Sequence, residues 1–159
     1  MIKNKEPGEI LFSVDIPQSE IQKIRKISEE YFHELYEKGW DCEDGNADIL
    51  PLNKDFDDVQ NIFKDCAKRA RVNIEKIYLV FTNGIEYHRD ENGCEIFMVL
   101  YNNINMFFQQ KKYKKNYHKP GDVFWFDSSK LHRVKESQRR KKEVTHCVYA
   151  GVAAKIISY

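Results

Sequence analysis

The chain has 159 residues, of which 42% are hydrophobic, 13% aromatic and 32% charged, with a formal net charge of +1. That length fits one domain able to bury a core unaided, and the balanced charge excludes a global attraction to nucleic acid or membrane, so any such attraction must be local. Cys42, Cys66, Cys94 and Cys147 are widely spaced with no CxxC pair, which argues for reduced thiols in a cytoplasmic protein and against a disulfide framework. The polar N-terminus and the lack of any long apolar run give the expectation of neither signal peptide nor membrane anchor.

Taken in chain order, residues 1–8 are polar, and Ile10, Phe12, Val14 and Ile16 alternate as in a strand over Glu9–Ile16. Pro17 ends it. Ser19 and Gln22 form a capping-box pattern, and Ile21, Ile24, Ile27, Tyr31 and Leu35 recur at helical spacing as far as Gly39. The stretch Trp40–Lys54, rich in Asp, Asn and Gly, reads as an irregular connection with room for a short strand near Ile49. Val59, Ile62, Phe63, Cys66, Ala67 and Ala70 predict a second helix from about Phe56 to Val72.

Beyond Asn73 the texture changes to short apolar or alternating runs: Ile74–Thr82, Glu95–Tyr101, Ile104–Gln109, Asp122–Phe126 and Val144–Val152. Turn signals at Asn83-Gly84, Glu91-Asn92-Gly93 and Asn102-Asn103 separate several of them, so the strands are expected to be mostly antiparallel. The predicted class is α+β: a sheet curled into a small barrel or sandwich, with the N-terminal helices packed outside. One domain over 1–159 is expected, with an N-terminal strand and supporting helices over 1–73 and the β core over 74–159. Two basic runs, 111–115 and 139–142, fall in predicted loops; each reads first as a solvated hairpin tip and second as a rim for an anionic partner.

Two stretches carry the chemistry. His88-Arg89-Asp90 follows a strand, and the alternation of side chains lets His88 and Asp90 face one ion from a strand end. Further on, Lys119-Pro120-Gly121-Asp122 turns into Val123-Phe124-Trp125-Phe126, which ends shortly before His132, roughly forty residues beyond the HxD, and could deliver a second imidazole from across a barrel. Two His and one carboxylate on one face of an ion leave open positions opposite, a set suited to non-heme Fe(II) oxygen chemistry, although it also binds Mn, Co, Ni or Zn.

From Tyr78 to Tyr149, the HxD followed by KPGDVFWFDSSKLHRV resembles the double-stranded β-helix (jelly-roll, cupin-like) core of Fe(II)/2-oxoglutarate-dependent oxygenases, especially small hydroxylases of the aspartyl/asparaginyl and prolyl types. The resemblance implies that His88, Asp90 and His132 are the Fe(II) ligands, that 2-oxoglutarate and O2 take the open positions, and that an amino acid, peptide or protein side chain is hydroxylated. The family places an Arg about ten residues beyond the distal His to grip the far carboxylate of 2-oxoglutarate in a two-pronged hydrogen bond. Here that spacing falls on Lys142, with Arg140 near it; a Lys supplies the charge but not the fork. His146 is a further inward candidate, and Tyr78 is the tyrosine favoured as a donor to the cosubstrate.

Blander readings apply to each residue alone. A single His is more often structural than a ligand, and the metal reading prevails only because three residues occur in one joint context. Phe124, Trp125 and Phe126 read as core, with Trp125 free to wall a pocket; His33 and His118 read as surface residues. Two other functions remain open: a metal-binding cupin of another reaction class, for which the three ligands suffice, and a non-catalytic binding module. The near-neutral charge and the lack of an evident base-stacking platform argue against a nucleic-acid enzyme.

Overall fold

A computed structural model describes residues 2–38, 47–137 and 147–159. The elements are β1 (Phe12–Ser13), α1 (Gln18–Glu37), β2 (Ala47–Pro51), α2 (Asp57–Arg69), β3 (Asn73–Ile74), β4 (Tyr78–Thr82), β5 (Ile85–His88), β6 (Cys94–Asn102), β7 (Phe107–Gln110), β8 (Asn116–Tyr117), β9 (Asp122–Asp127), β10 (His132–Lys135) and β11 (Tyr149–Ser158). Single-turn 3-10 segments cover Ile2–Asn4 and Lys54–Phe56.

Helix α1 forms where expected, and its buried stripe includes Ile21, Ile24 and Phe32. The capping box does not form: Pro17 is the N-cap with no side-chain bond, and Ser19 is already inside the helix. Proline's fixed φ and the Pro17 carbonyl, which accepts from the N–H groups of Glu20 and Ile21, start the helix instead. Helix α2 buries Val59, Phe63, Cys66 and Ala67, with Asp57 and Asp58 in its first turn and Lys68 and Arg69 in its last, each sign set to favour the helix dipole.

All strand pairs are antiparallel. One sheet runs β1-β9-β6-β11-β4-β2, with β3 also on β11; the other runs β5-β10-β7-β8. Within these, β9-β6-β11-β4 faces β5-β10-β7-β8, and the chain crosses between the two sheets as it goes, which is the strand order of an eight-stranded jelly roll. The sheets are separate ladders and do not close into the expected barrel.

Alternation along the strands divides the core in two. Leu79, Phe81, Ile96, Met98, Leu100, Ala150, Val152 and Ala154 share one buried cluster with Ile24, Phe32, Val59 and Phe63 of the two helices. Phe32 and Tyr31 both meet Phe81 edge to face, at 5.7 and 5.0 Å between centroids. The intervening residues Phe97, Val99, Phe124, Phe126, Tyr149 and Ala153 form the second cluster with Phe108 and Val134 of the smaller sheet. Trp125 therefore falls on the helix side, where its Nε1 donates to the Lys5 carbonyl at 3.0 Å, and it does not wall the pocket.

Several boundaries differ from the sequence pattern. Only Phe12 and Ser13 of the predicted Glu9–Ile16 strand pair as a ladder, flanked by single bonds from the Leu11 N–H to the Val123 carbonyl and the Val14 N–H to the Gly121 carbonyl; Gly121, at φ +94°, comes so close that a Cβ there would lie 1.9 Å from the Val14 carbonyl oxygen. The Ile74–Thr82 run splits into β3 and β4, and β11 continues to Ser158. The strand expected just before Asp90 is β5, whereas β8 and β10 lack a predicted counterpart, being two and four residues long and polar at many positions. Cys66, Cys94 and Cys147 form no disulfide, and burial pushes the Cys66 thiol up to about 11. No helix among the described residues is long and apolar enough to cross a membrane.

Candidate metal centre

His88 is the last residue of β5 and His132 the first of β10, and the two are direct partners in the antiparallel ladder. The second imidazole thus comes from the adjacent strand rather than from across a barrel, and His132 opens a strand of its own instead of trailing β9. Asp90 lies just beyond β5 in a loop held to the turn after β9. Its N–H donates to the Ser128 carbonyl at 2.7 Å, while the Ser128 N–H and hydroxyl both donate to the Gly93 carbonyl, at 2.8 and 2.9 Å. The turn itself is shaped by Asp127, whose Oδ1 accepts from the Ser129 N–H at 3.0 Å. This is why the DSSK tetrapeptide sits between the aromatic strand and His132.

One ligand atom each from His88, Asp90 and His132 falls within 4.8 Å of the others. Asp90 Oδ2 is 3.2 Å from His132 Nε2 and 3.7 Å from His88 Nε2. The tautomers follow from the other ring nitrogen: each Nδ1 lies 2.8 Å from a backbone carbonyl, of Glu86 for His88 and of Lys130 for His132. A carbonyl only accepts, so each Nδ1 carries the hydrogen and each neutral ring turns a bare Nε2 lone pair toward the carboxylate. Three acceptors converging on one point repel unless a cation lies among them. Without a metal, protons serve: hydrogen bonding from His132 and then His88 holds the Asp90 carboxyl well below the usual carboxylate range, and the same bond to Asp90 raises His88. A transition ion with bonds of about 2.1 Å has neighbouring ligands about 3 Å apart, close to the 3.2 and 3.7 Å between Asp90 and the two rings.

Sequence reasoning missed Glu95. It is 3% exposed, lines the same cavity, and accepts a hydrogen bond from the Tyr78 hydroxyl on Oε1. Burial raises its carboxyl, offset in part by Ser128 and by His132 nearby. The signal was present: Glu95 shares strand parity with Phe97 and Val99, so a charged residue opening an apolar strand had to face inward. Tyr78 is thus in the pocket, bonded to Glu95.

His118 is not a surface residue. It is 1% exposed, stacked on Phe124 at 4.2 Å, with Nε2 2.8 Å from the Gly8 carbonyl and Nδ1 2.7 Å from the Tyr149 hydroxyl. It therefore donates from Nε2 and accepts from Tyr149, and burial lowers its pKa, keeping it neutral. His33 is exposed on α1, 3.6 Å from Glu37. Lys111, Lys112, Lys114 and Lys115 are exposed between β7 and β8. Arg140, Lys142 and His146 lie outside the described residues.

No protein-family model matches the sequence, and no curated protein matches it. Among solved structures, the chain is similar to a predicted oxalate decarboxylase from Thermotoga maritima, at 16% identity and a TM-score of 0.41, covering 72% of this chain and 84% of that one. An RmlC-like cupin protein from Desulfovibrio desulfuricans gives 13% identity and a TM-score of 0.40, covering 72% and 86%. A cupin-like protein from Thermotoga maritima gives 13% and 0.39, covering 70% and 67%. Overlaps this loose assign neither reaction nor ligand to this chain, and the jelly-roll description rests on its own strand order.

Proposed function

We propose that the chain is a metal-dependent, cupin-type enzyme acting on a small molecule, with His88, Asp90 and His132 holding one divalent transition ion, iron(II) above all. The observation that supports it most is the convergence of two bare Nε2 lone pairs and a carboxylate oxygen, with both tautomers set by backbone carbonyls. Iron in such a three-ligand site supplies Lewis acidity and open positions for substrate or O2. The chain's part is to fix both rings on paired strands, to hold Asp90 through Ser128, and to surround the open side with apolar walls that exclude water.

A second reading, an Fe(II)/2-oxoglutarate-dependent hydroxylase of an amino acid, peptide or protein side chain, is favoured by the two-His, one-carboxylate set itself. It needs a cation for the distal carboxylate, and its candidates Arg140 and Lys142 lie outside the described residues. Among the described residues lining the cavity, Arg89 is the one Lys or Arg, and it is exposed. The plain cupin reading rests on described residues alone and is preferred.

Anaerobic titration with Fe(II) and then 2-oxoglutarate tests both readings. One iron per chain without a visible metal-to-ligand charge-transfer band supports the first; the band, with succinate formed on admitting O2, supports the second. Failure to bind any divalent transition ion at micromolar concentration would sink both.

A further inference from the structure

A second cavity, of about 550 Å³, lies between the N-terminal segment and the end of α2, and it shares no lining residue with the cavity at the metal centre. Lys5, Arg69 and Arg71 line it together with Asn4, and no Asp or Glu among the described residues does. Ile2, Leu11 and Phe12 give it an apolar wall, continuous with the helix-side core. A concave site of this size with a few convergent charges suits a small organic ligand.

Two of the three cations have ordinary structural explanations. Lys5 Nζ lies 3.8 Å from Glu9, and a basic residue such as Arg69 in the last turn of α2 suits the helix dipole. Arg71 lies past that turn. It follows the Ala70 C-cap at φ +59°, where its N–H donates to the Lys68 carbonyl at 3.0 Å and the Val72 N–H donates to the Ala67 carbonyl at 3.1 Å. That left-handed closing position favours glycine, so an arginine there is strained and its side chain calls for a use. Neither Arg69 nor Arg71 forms an ion pair among the described residues. Arg69 is also held in place, since its guanidinium carbon lies over the Phe12 ring at 4.1 Å from the centroid. Stacking one face of the guanidinium leaves its in-plane N–H groups available, and a planar fork of this kind takes two oxygens of one oxyanion.

We propose that this cavity binds a small phosphate monoester, with the phosphate among Arg69, Arg71 and Lys5 and the organic body against Ile2, Leu11 and Phe12. A phosphate group suits three cations better than a carboxylate does, because it brings nearly two negative charges and three acceptor oxygens. The bound ester ties the segment before β1 to the end of α2, adding to the contact that Arg69 makes with Phe12. This inference is independent of the metal-centre reading.

The test titrates the full chain calorimetrically, at low salt, with phenyl phosphate, inorganic phosphate and phenol. Phenyl phosphate is expected to bind at submillimolar concentration, inorganic phosphate more weakly and phenol not at all. Arg71→Gly removes the cation and supplies the residue that the left-handed backbone favours. Its thermal midpoint should therefore match or exceed the wild type while affinity for phenyl phosphate falls at least about tenfold, and Arg69→Gln should lose as much affinity. Lys112→Gln combined with Lys114→Gln, in the exposed stretch between β7 and β8, measures general charge attraction and should change affinity little. No binding of phenyl phosphate to the wild type at millimolar concentration overturns the proposal. Affinity unchanged in an Arg69→Gln, Arg71→Gly double variant overturns it too, by putting the anion elsewhere, the metal centre included. A loss in the lysine variant as large as in the arginine variants makes the attraction nonspecific and also defeats it, as does inorganic phosphate binding as tightly as the ester, since the apolar wall would then contribute nothing.

Discussion

The two faces of the larger sheet are built from the same strands by alternate residues and meet different fates. On one face Leu79, Phe81, Ile96 and Met98 are covered by the two helices, and each is at most 1% exposed. On the other, Tyr78, Val80 and Phe97 look across to a four-stranded sheet that does not fill the gap and leaves the cavity that His88, Asp90 and His132 also line. The difference teaches a division of labour. A strand buried on both faces can spend one on close packing, which sets stability, and leave the other underpacked to receive a ligand. His88 and His132 sit on short strands of the smaller sheet, and Asp90 on a loop held by its N–H to the Ser128 carbonyl rather than by core.

Breaking the helix-side face should have the largest effect. Phe81 is fully buried between Tyr31 and Phe32, so Phe81→Ala is expected to cost about 3–5 kcal/mol in denaturant unfolding. Variant chains that remain folded should still bind one metal. A loss of metal without a loss of stability would erase the distinction between the faces.

Breaking the cavity side at its ligands should do the reverse. His132→Ala removes one of three donors and is expected to weaken metal binding by at least about a hundredfold, with a much smaller change in the stability of the metal-free protein. Full metal stoichiometry at micromolar concentration in that variant would remove His132 from the site.

Acidity sharpens the same contrast, because protons and metal compete for the Nε2 lone pairs. His88 is raised above its ordinary 6.5, chiefly by its hydrogen bond to Asp90, so its proton must leave before metal enters. Apparent metal affinity should fall about tenfold per pH unit for each imidazole protonated as pH drops below that raised value, and should level off above it. In the metal-free chain the signs are different. The raised His88 contributes stability that is full below pH 6.5 and lost as pH rises through its folded value; the depressed Asp90 contributes stability present above 3.8 and lost as pH falls. The pair therefore supports the metal-free fold most between about pH 4 and 6.5, and Asp90→Asn should flatten that maximum in a pH series of thermal unfolding curves.

The smallest effect comes from a matched pair. Val152 lies on the helix-covered face and Val80 on the cavity wall. Val152→Ala should cost about 2–3 kcal/mol, while Val80→Ala should cost less than about 1, since the methyls it loses already border open space. Equal costs would mean that the cavity is packed in solution.

Much of this molecule was legible from local pattern. Period 3.6 over Ile21, Ile24 and Tyr31 marked α1, and period 2 over Glu95–Tyr101 marked β6, because each stripe needs only its own neighbours to declare a face. The sequence also singled out His88, Asp90 and His132 as a joint set, and the structure brings one atom of each within 4.8 Å of the others. What the sequence could not determine was how they meet. Strand β10 is four residues long and half polar, too short to announce itself, and only its ladder with β5 makes His88 and His132 partners. The burial of His118 likewise depends on Gly8, 110 positions earlier in the chain, and the inward role of Glu95 depends on Tyr78 from a different strand. Periodicity tells which residues share a face; which face is covered and which is left open is decided by what the rest of the chain brings against it, through contacts between residues far apart in sequence.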